Sequence, residues 1–490
     1  MDLVALNIPE IWFAIMSNLY YLTIVSIVFI LILENRNPVK SLSWSLVLIA
    51  LPILGLVLYI FLGQNVRRNK IISKKSIKQV ELINGYYEAI KRKFNILDIK
   101  LPSSLQSRRR LISLLYHNNH SLYTDDNKVD VYLSGKASLD AMYRAIQDAK
   151  DYIHLQSYIF DSKDEIGGKF SDLLKQKAQQ GVEVRLLVDS VGSWSLGRVF
   201  HRQMQKAGVE SYEFLNVFFP ILTHRINYRN HRKILIVDGK VGFVGGVNIA
   251  DRYYYGDRRI GGKWRDTHMK IEGGAISGLQ SIFIQDWYFA SRKRINDKRY
   301  FNQTKSEGER KIQIASCGPD SDWKIIEQAF VLVISSAEKY VYIQSPYFLP
   351  TESIRMALMV AAMSGTDVRL MIPHESDGKF TQSASHSYLK EMLKAGVRIY
   401  RYKGGFIHSK MMVSDDTLAT IGSSNMDFRS FESNFEVNAF IYDSTVAKQC
   451  KDYFLEDETL SYEVSITTWE QRHKIKRIFE SFTRLFSPLL

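Results

Sequence analysis

Cysteine is almost missing: Cys317 and Cys450 are the two in 490 residues. That excludes a disulfide framework and a thiolate metal site, and it fits a reducing compartment. No P-loop occurs, so nothing points to nucleotide-driven chemistry. Basic charge is also thin where a nucleic-acid enzyme would need it. Residues 111–490 carry only +5 of the net +14, whereas such enzymes gather positive charge around the site. Nucleic acid is therefore not an expected partner. No basic residue precedes the first apolar stretch and no small-residue cleavage site follows it, which argues against a cleaved signal peptide.

What is present begins with two uncharged apolar stretches, residues 11–33 and 44–62. Each can span a hydrocarbon core of ~30 Å at ~1.5 Å per residue. The polar turn Glu34-Asn35-Arg36-Asn37-Pro38-Val39-Lys40 lies between them. Residues 1–65 thus read as a transmembrane hairpin, although a buried hairpin in a soluble core would share the pattern. Residues 66–110 hold thirteen Lys and Arg against Glu81, Glu88 and Asp98. By the positive-inside rule everything after residue 63 is cytoplasmic, which makes a multi-pass protein of the cell membrane. Residues 66–125 are then a basic juxtamembrane linker, attracting anionic headgroups at ~1 kcal/mol per residue. A solvated linker has the same composition.

One short pattern occurs twice. The first copy is His231-Arg232-Lys233, then Asp238, Gly245, Gly246 and Asn248. The second is His408-Ser409-Lys410, then Asp415, Gly422, Ser423 and Asn425. In both, Lys follows His by two positions, Asp by seven, and Asn follows Asp by ten. On an extended segment, His and Lys two apart share a face. The Ile234-Leu235-Ile236-Val237 run after Lys233 reads as a buried strand. Each copy should place an imidazole, an ammonium and an amide at one mouth of a sheet.

The repeat extends beyond the motif. Leu155-Gln156-Ser157-Tyr158-Ile159-Phe160 recurs as Ile343-Gln344-Ser345-Pro346-Tyr347-Phe348, and Lys206-Ala207-Gly208-Val209 as Lys394-Ala395-Gly396-Val397. Helical patterns at 137–150 and 323–339 separate the strand-like runs, an α/β arrangement. Two halves, 126–305 and 306–455, are expected to pack with their motif mouths facing. The same alignment matches Asp266 to Glu436, each at the start of the strand after the motif. An imidazole in acid–base work needs its second nitrogen held by an acceptor, and these acids are the candidates. Asp238 and Asp415 sit at strand ends, like turn or inter-half contacts.

Two histidines, two lysines and two asparagines at one point suit a phosphodiester. One histidine can attack phosphorus while the other protonates the leaving oxygen. Lysines and amides neutralise the developing charge. No metal is called for: the pattern has no ligand set, and a lysine beside each histidine repels a cation. An alcohol acceptor gives transfer, and water gives hydrolysis.

The duplicated H-x-K-x4-D with G-[GS]-x-N resembles the phospholipase D superfamily. The layout, with Asn35-Arg36-Asn37-Pro38 between the apolar stretches, resembles that of bacterial cardiolipin synthases over the full length. The resemblance implies a mixed β-sheet flanked by helices in each half. It implies two phosphatidylglycerols joined into cardiolipin with release of glycerol, a phosphohistidine intermediate and no added cofactor. The residues it carries over are His231, Lys233 and Asp238 with His408, Lys410 and Asp415 as catalytic, and Asn248 and Asn425 at the substrate. By analogy His231 is the nucleophile and His408 the acid/base. Ser423, where the first copy has Gly246, adds a hydroxyl to substrate binding in one half only.

Other features fit a lipid enzyme. Tyr253-Tyr254-Tyr255 and the 217–222 run could line an acyl entrance or simply pack. The tail, 456–490, sets Arg472, Lys474, Lys476, Arg477 and Arg484 among Ile475, Ile478, Phe479, Phe482 and Leu485. Such a basic amphipathic helix can lie on an anionic lipid surface or dock on the protein's own core. Three classes stay open: a lipid phosphatidyltransferase, a membrane-tethered phosphodiesterase using water, and a non-catalytic scaffold. The donor headgroup also stays open, since phosphatidylethanolamine could replace one phosphatidylglycerol.

Overall fold

A computed structural model describes residues 8–33, 38–51, 53–59, 101–215, 227–301 and 306–490. The chain divides into an N-terminal unit and a large unit.

In the N-terminal unit, Ile8–Leu33 is one helix of 26 residues, ~39 Å at 1.5 Å per residue. Its window Trp12–Phe29 has mean hydropathy 1.6, and its apolar side chains point outward. Thr23 and Ser26 are tolerated because their hydroxyls donate to the carbonyls of Leu19 and Leu22, one turn back. The second apolar stretch, expected to span over 44–62, is described only in part. The described part holds a 13-residue helix, Pro38–Ala50, followed by a separate turn, Leu54–Leu58. Ile53 stands at φ 64°, outside the right-handed helical region, which separates the two helical segments. Among the described residues, one helix is long and apolar enough to cross a membrane. The two helices pair through Tyr20, whose hydroxyl donates to Leu48 O and accepts from Ile53 N. Residues 60–100, most of the basic linker, lie outside the described residues, as does the 217–222 run.

The large unit carries the repeat. Its first half contains β1 (Thr124–Ser134), β2 (Tyr152–Ser157), β3 (Glu183–Asp189), β4 (Glu210–Phe214), β5 (Ile234–Val237), β6 (Val241–Gly245) and β7 (Trp264–Glu272). The second contains β8 (Arg310–Cys317), β9 (Tyr340–Gln344), β10 (Phe348–Leu349), β11 (Asp367–Pro373), β12 (Arg398–Tyr402), β13 (Phe406–Ile407), β14 (Met411–Ser414), β15 (Leu418–Gly422), β16 (Met426–Asp427), β17 (Glu436–Ile441) and β18 (Ser461–Glu463). The order β4-β3-β2-β5-β6-β7-β1 in one half is repeated as β12-β11-β9-β14-β15-β17-β8 in the other. Strands β2, β3 and β4 are parallel, while β5, β6, β7 and β1 are antiparallel, so the sheet is mixed. Antiparallel pairing of β1 with β8 joins the halves into one sheet.

Strand alternation explains the layers. Ile234 and Ile236 face the helix Ile276–Ser291, whereas Leu235 and Val237 face the helices Gly135–Asp148 and Glu165–Gln179. In β9, Tyr340 and Tyr342 face one core and Val341 and Ile343 the other. Both faces are covered, as continuous apolar runs such as Ile-Leu-Ile-Val require.

Candidate active site

Each motif segment leaves its own sheet and pairs with the other half. Phe406 and Ile407 run parallel to Trp264 and Arg265 of β7, and His408 N donates to Arg265 O at 2.7 Å. Asn230 bridges to Phe435, and His231 N donates to Phe435 O at 2.9 Å. In both cases the next residue of the partner strand is the acid. Asp266 Oδ2 therefore lies 2.7 Å from His408 Nδ1, and Glu436 Oε2 lies 3.0 Å from His231 Nδ1. The repeat alignment pointed to both acids; the exchange between halves is new. An Nδ1–H donated to the carboxylate leaves Nε2 with a free lone pair.

Alternation carries the lysines to the same side as the histidines. Lys233 Nζ donates to His231 O and Lys410 Nζ to His408 O, both at 2.6 Å. Arg232, between them in the first copy, points away and binds buried Asp286 at 2.7 Å. Buried Asp457 is held instead by Arg265 of the first half, at 2.7 Å. Gln156 donates to Asp286 and Gln344 to Asp457, so each half rests its site on a buried acid, arginine and glutamine.

Burial sets the charge states. It pushes the His231 imidazole down to about 4, against the pull of Glu436. It pushes His408 to about 3, with the Lys410 ammonium adding to the effect. Lys410 falls to about 8 and Lys233 well below the usual lysine range, again through desolvation first. Burial opposes the charge on Asp266 and Glu436, but their histidines and nearby lysines outweigh it, and both acids stay below the usual carboxylate range. The resting site thus pairs ionised carboxylates with neutral imidazoles.

Both histidines line one cavity of about 430 Å³, as do Asn248 and Asn425. Asn248 accepts from Ile159 N and donates to the Tyr253 hydroxyl. Tyr253 also lines the cavity, whereas Tyr255 of the same run is on the surface. Ser423 is placed differently from the expectation. Its hydroxyl donates to Glu436 Oε2 and it is fully buried, so in this structure it steadies the carboxylate. Its counterpart Gly246 leaves room for the other acid: a Cβ there would lie 2.1 Å from Asp266 Oδ1.

Asp238 and Asp415 are not with the histidines. Each lies beyond its strand, β5 or β14, ~13 Å along the chain direction at ~3.3 Å per residue. Each adopts left-handed backbone, φ 52° and 54°, which aspartate tolerates better than most residues. Asp238 accepts the amides of Lys150, Asp151 and Tyr152, and Asp415 those of Glu338, Lys339 and Tyr340. They are anchors for β2 and β9 within their own halves, not inter-half contacts. Arg108, 1% exposed, adds an ion pair to Asp415 at 3.0 Å.

Sequence reasoning missed Arg252 and Arg429, which line the cavity from the short helices Asp251–Tyr255 and Phe428–Glu432. The signal was available, since each follows its motif histidine by 21 positions. Neither guanidinium has a carboxylate ion pair among the described residues.

The comparisons with known proteins agree with this arrangement. A family model described as "Cardiolipin synthase, PLD-like domain" matches residues 142–287 and 331–458, and "Phospholipase_D-nuclease N-terminal" matches 22–64. A cardiolipin synthase of Geobacillus thermodenitrificans is 41% identical over 482 residues, 97% of this chain and 94% of its own. The chain belongs to the cardiolipin synthase family. The major cardiolipin synthase ClsA of Bacillus subtilis is 39% identical over 486 residues, covering 97% of this chain and 99% of its own. A phosphatidylserine synthase structure from Haemophilus influenzae shares the fold at TM-score 0.59 and 14% identity, over 78% of this chain and all of that one. As a member of the cardiolipin synthase family, the protein is a membrane-associated phospholipid phosphatidyltransferase of the phospholipase D superfamily.

Proposed function

We propose that the enzyme joins two phosphatidylglycerols into cardiolipin and glycerol through a phosphohistidine on His231. The observation that carries this reading is the pair of imidazoles on one cavity, each with Nδ1 engaged by a carboxylate. His231 Nε2 attacks phosphorus of the first lipid, and the bond to its glycerol headgroup breaks. His408 gives that oxygen a proton; the bound phosphate anion favours the protonated imidazole that this step needs. Glycerol departs. A hydroxyl of the second phosphatidylglycerol then yields its proton to His408 and attacks phosphorus, and the phosphorus–nitrogen bond breaks to free cardiolipin. Lys233 and Lys410 offset the charge that grows on the non-bridging oxygens. Asp266 and Glu436 hold the rings and steady each imidazolium. The number of phosphodiester bonds is unchanged, so no nucleotide enters. The N-terminal unit anchors the enzyme with its catalytic unit in the cytoplasm.

Purified enzyme incubated with labelled phosphatidylglycerol in EDTA tests the reading. Cardiolipin with one glycerol released per cardiolipin is expected. Phosphatidic acid as the main product would make water the acceptor and overturn it.

A further inference from the structure

The helix Lys474–Arg484 sits on the large unit the wrong way round for a soluble protein. Its polar face is inward: Glu480 and Thr483 are buried, and Glu480 is held by Arg472 at 2.6 Å and faces His386 of the helix Lys379–Lys394. Its apolar face is outward. Ile475 is 70% exposed, Ile478 68%, Phe482 52% and Leu485 74%, with Phe479 close behind. At 100° per residue these five fall within an arc of about 120°. Exposed Lys474 and Lys476 stand at its borders.

The apolar surface does not stop at the helix. Phe479 and Phe486 both contact Phe380, at 6.4 and 5.7 Å between rings. Gly378 and Thr381, on either side of Phe380, line the cavity that holds the histidines. Aromatic contacts therefore run from the exposed helix to Phe380, the chain neighbour of cavity-lining Thr381.

We propose that this helix docks on an anionic bilayer, its apolar face in the acyl boundary and its lysines among the headgroups. Charge complementarity selects that occupant: the segment 472–484 holds Arg472, Lys474, Lys476, Arg477 and Arg484 against Glu480, which is already spent on Arg472. Isolated apolar patches of this kind, rimmed by basic residues, fit the interfacial plane. Docking brings the cavity mouth to headgroup depth, so a lipid can slide along Phe380 into the site without crossing water. The docking itself does not depend on which acceptor the enzyme uses; only its consequence for turnover rests on the proposed reaction.

The test uses the full chain in vesicles of phosphatidylglycerol and phosphatidylcholine. A spin label on Phe482→Cys is expected to relax with dissolved oxygen more than with a water-soluble nickel chelate; Cys317 and Cys450 are buried and contribute little label. Ile478→Glu combined with Phe482→Glu should lower turnover of vesicle lipid by about tenfold while leaving a soluble short-chain phosphodiester unaffected. A label exposed to the chelate in vesicles would overturn the proposal. So would a label shielded from both reagents with a doubled particle mass, which would assign the face to a second copy. The label result stands whether the product is cardiolipin or phosphatidic acid, so docking and chemistry fail separately.

Discussion

Asp266 belongs to the first half and His408 to the second, yet Asp266 Oδ2 lies 2.7 Å from His408 Nδ1. Glu436 and His231 repeat the exchange in the opposite direction. The backbone bonds His408 N to Arg265 O and His231 N to Phe435 O set this register. Neither half alone holds an oriented imidazole.

Asp266→Asn keeps the shape and removes the charge. Turnover is expected to fall by about 10²- to 10⁴-fold, as when other imidazoles lose their carboxylate, with phosphatidylglycerol KM little changed. Steady-state kinetics on folded variant checks this; turnover within threefold of the parent would remove Asp266 from the positioning role.

Lysine charge should shape the alkaline side of the pH profile. Lys410 is pushed down to about 8, so as pH rises through that value it loses its proton and kcat/KM falls. Stability moves the other way. Between about 8 and the ordinary 10.5, the unfolded chain holds a proton that the folded chain has released, so this group's contribution to stability rises with pH. Lys410→Arg should shift the alkaline limb beyond the measurable range. An unmoved limb in that variant would assign the titration to another group.

Gly246 and Ser423 occupy matching positions with opposite duties. Gly246→Ala should cost activity sharply, because its methyl would collide with the Asp266 carboxylate. Ser423→Ala removes one hydrogen bond to Glu436 and should cost only about five- to tenfold. Kinetics on the two variants side by side decide the matter, and equal losses would contradict the asymmetry.

Arg429 faces the cavity without a carboxylate partner among the described residues. Arg429→Ala should raise the KM for phosphatidylglycerol by about tenfold or more, with kcat less affected, as expected for loss of a charge-assisted phosphate contact. A pure kcat effect would argue for a role in the chemical step.

The motif aspartates should behave as structure. Asp415→Ala removes the acceptor of three backbone amides and of Arg108, a loss of about 2–4 kcal/mol of stability. Activity per folded molecule should stay within a few-fold. Denaturant melts with active-site titration measure both quantities.

Much of this site could be read from residue spacing, because a repeat states the same chemistry twice. The alternation that puts His231 and Lys233 together and sends Arg232 away is local backbone geometry, which residue spacing expresses directly. The pairing of Phe406 with Trp264 and of Asn230 with Phe435 is tertiary, so the exchange of Asp266 and Glu436 between halves could not be seen in spacing. The hydroxyl of Ser423 looked available to substrate because its direction depends on β17 beside it. The arginines 21 residues after each histidine stand in short helices, Asp251–Tyr255 and Phe428–Glu432, whose other residues differ, so the repeat is faint there.

The phosphohistidine tests the central claim most directly. A phosphatidyl p-nitrophenyl diester carries a leaving group that needs no acid, so His408→Asn should still attack it. A burst of one p-nitrophenolate per enzyme is expected in His408→Asn, with the phosphatidyl group trapped on His231 and acid-labile. His231→Asn should give no burst. A burst in His231→Asn, or label recovered on His408, would contradict the assignment.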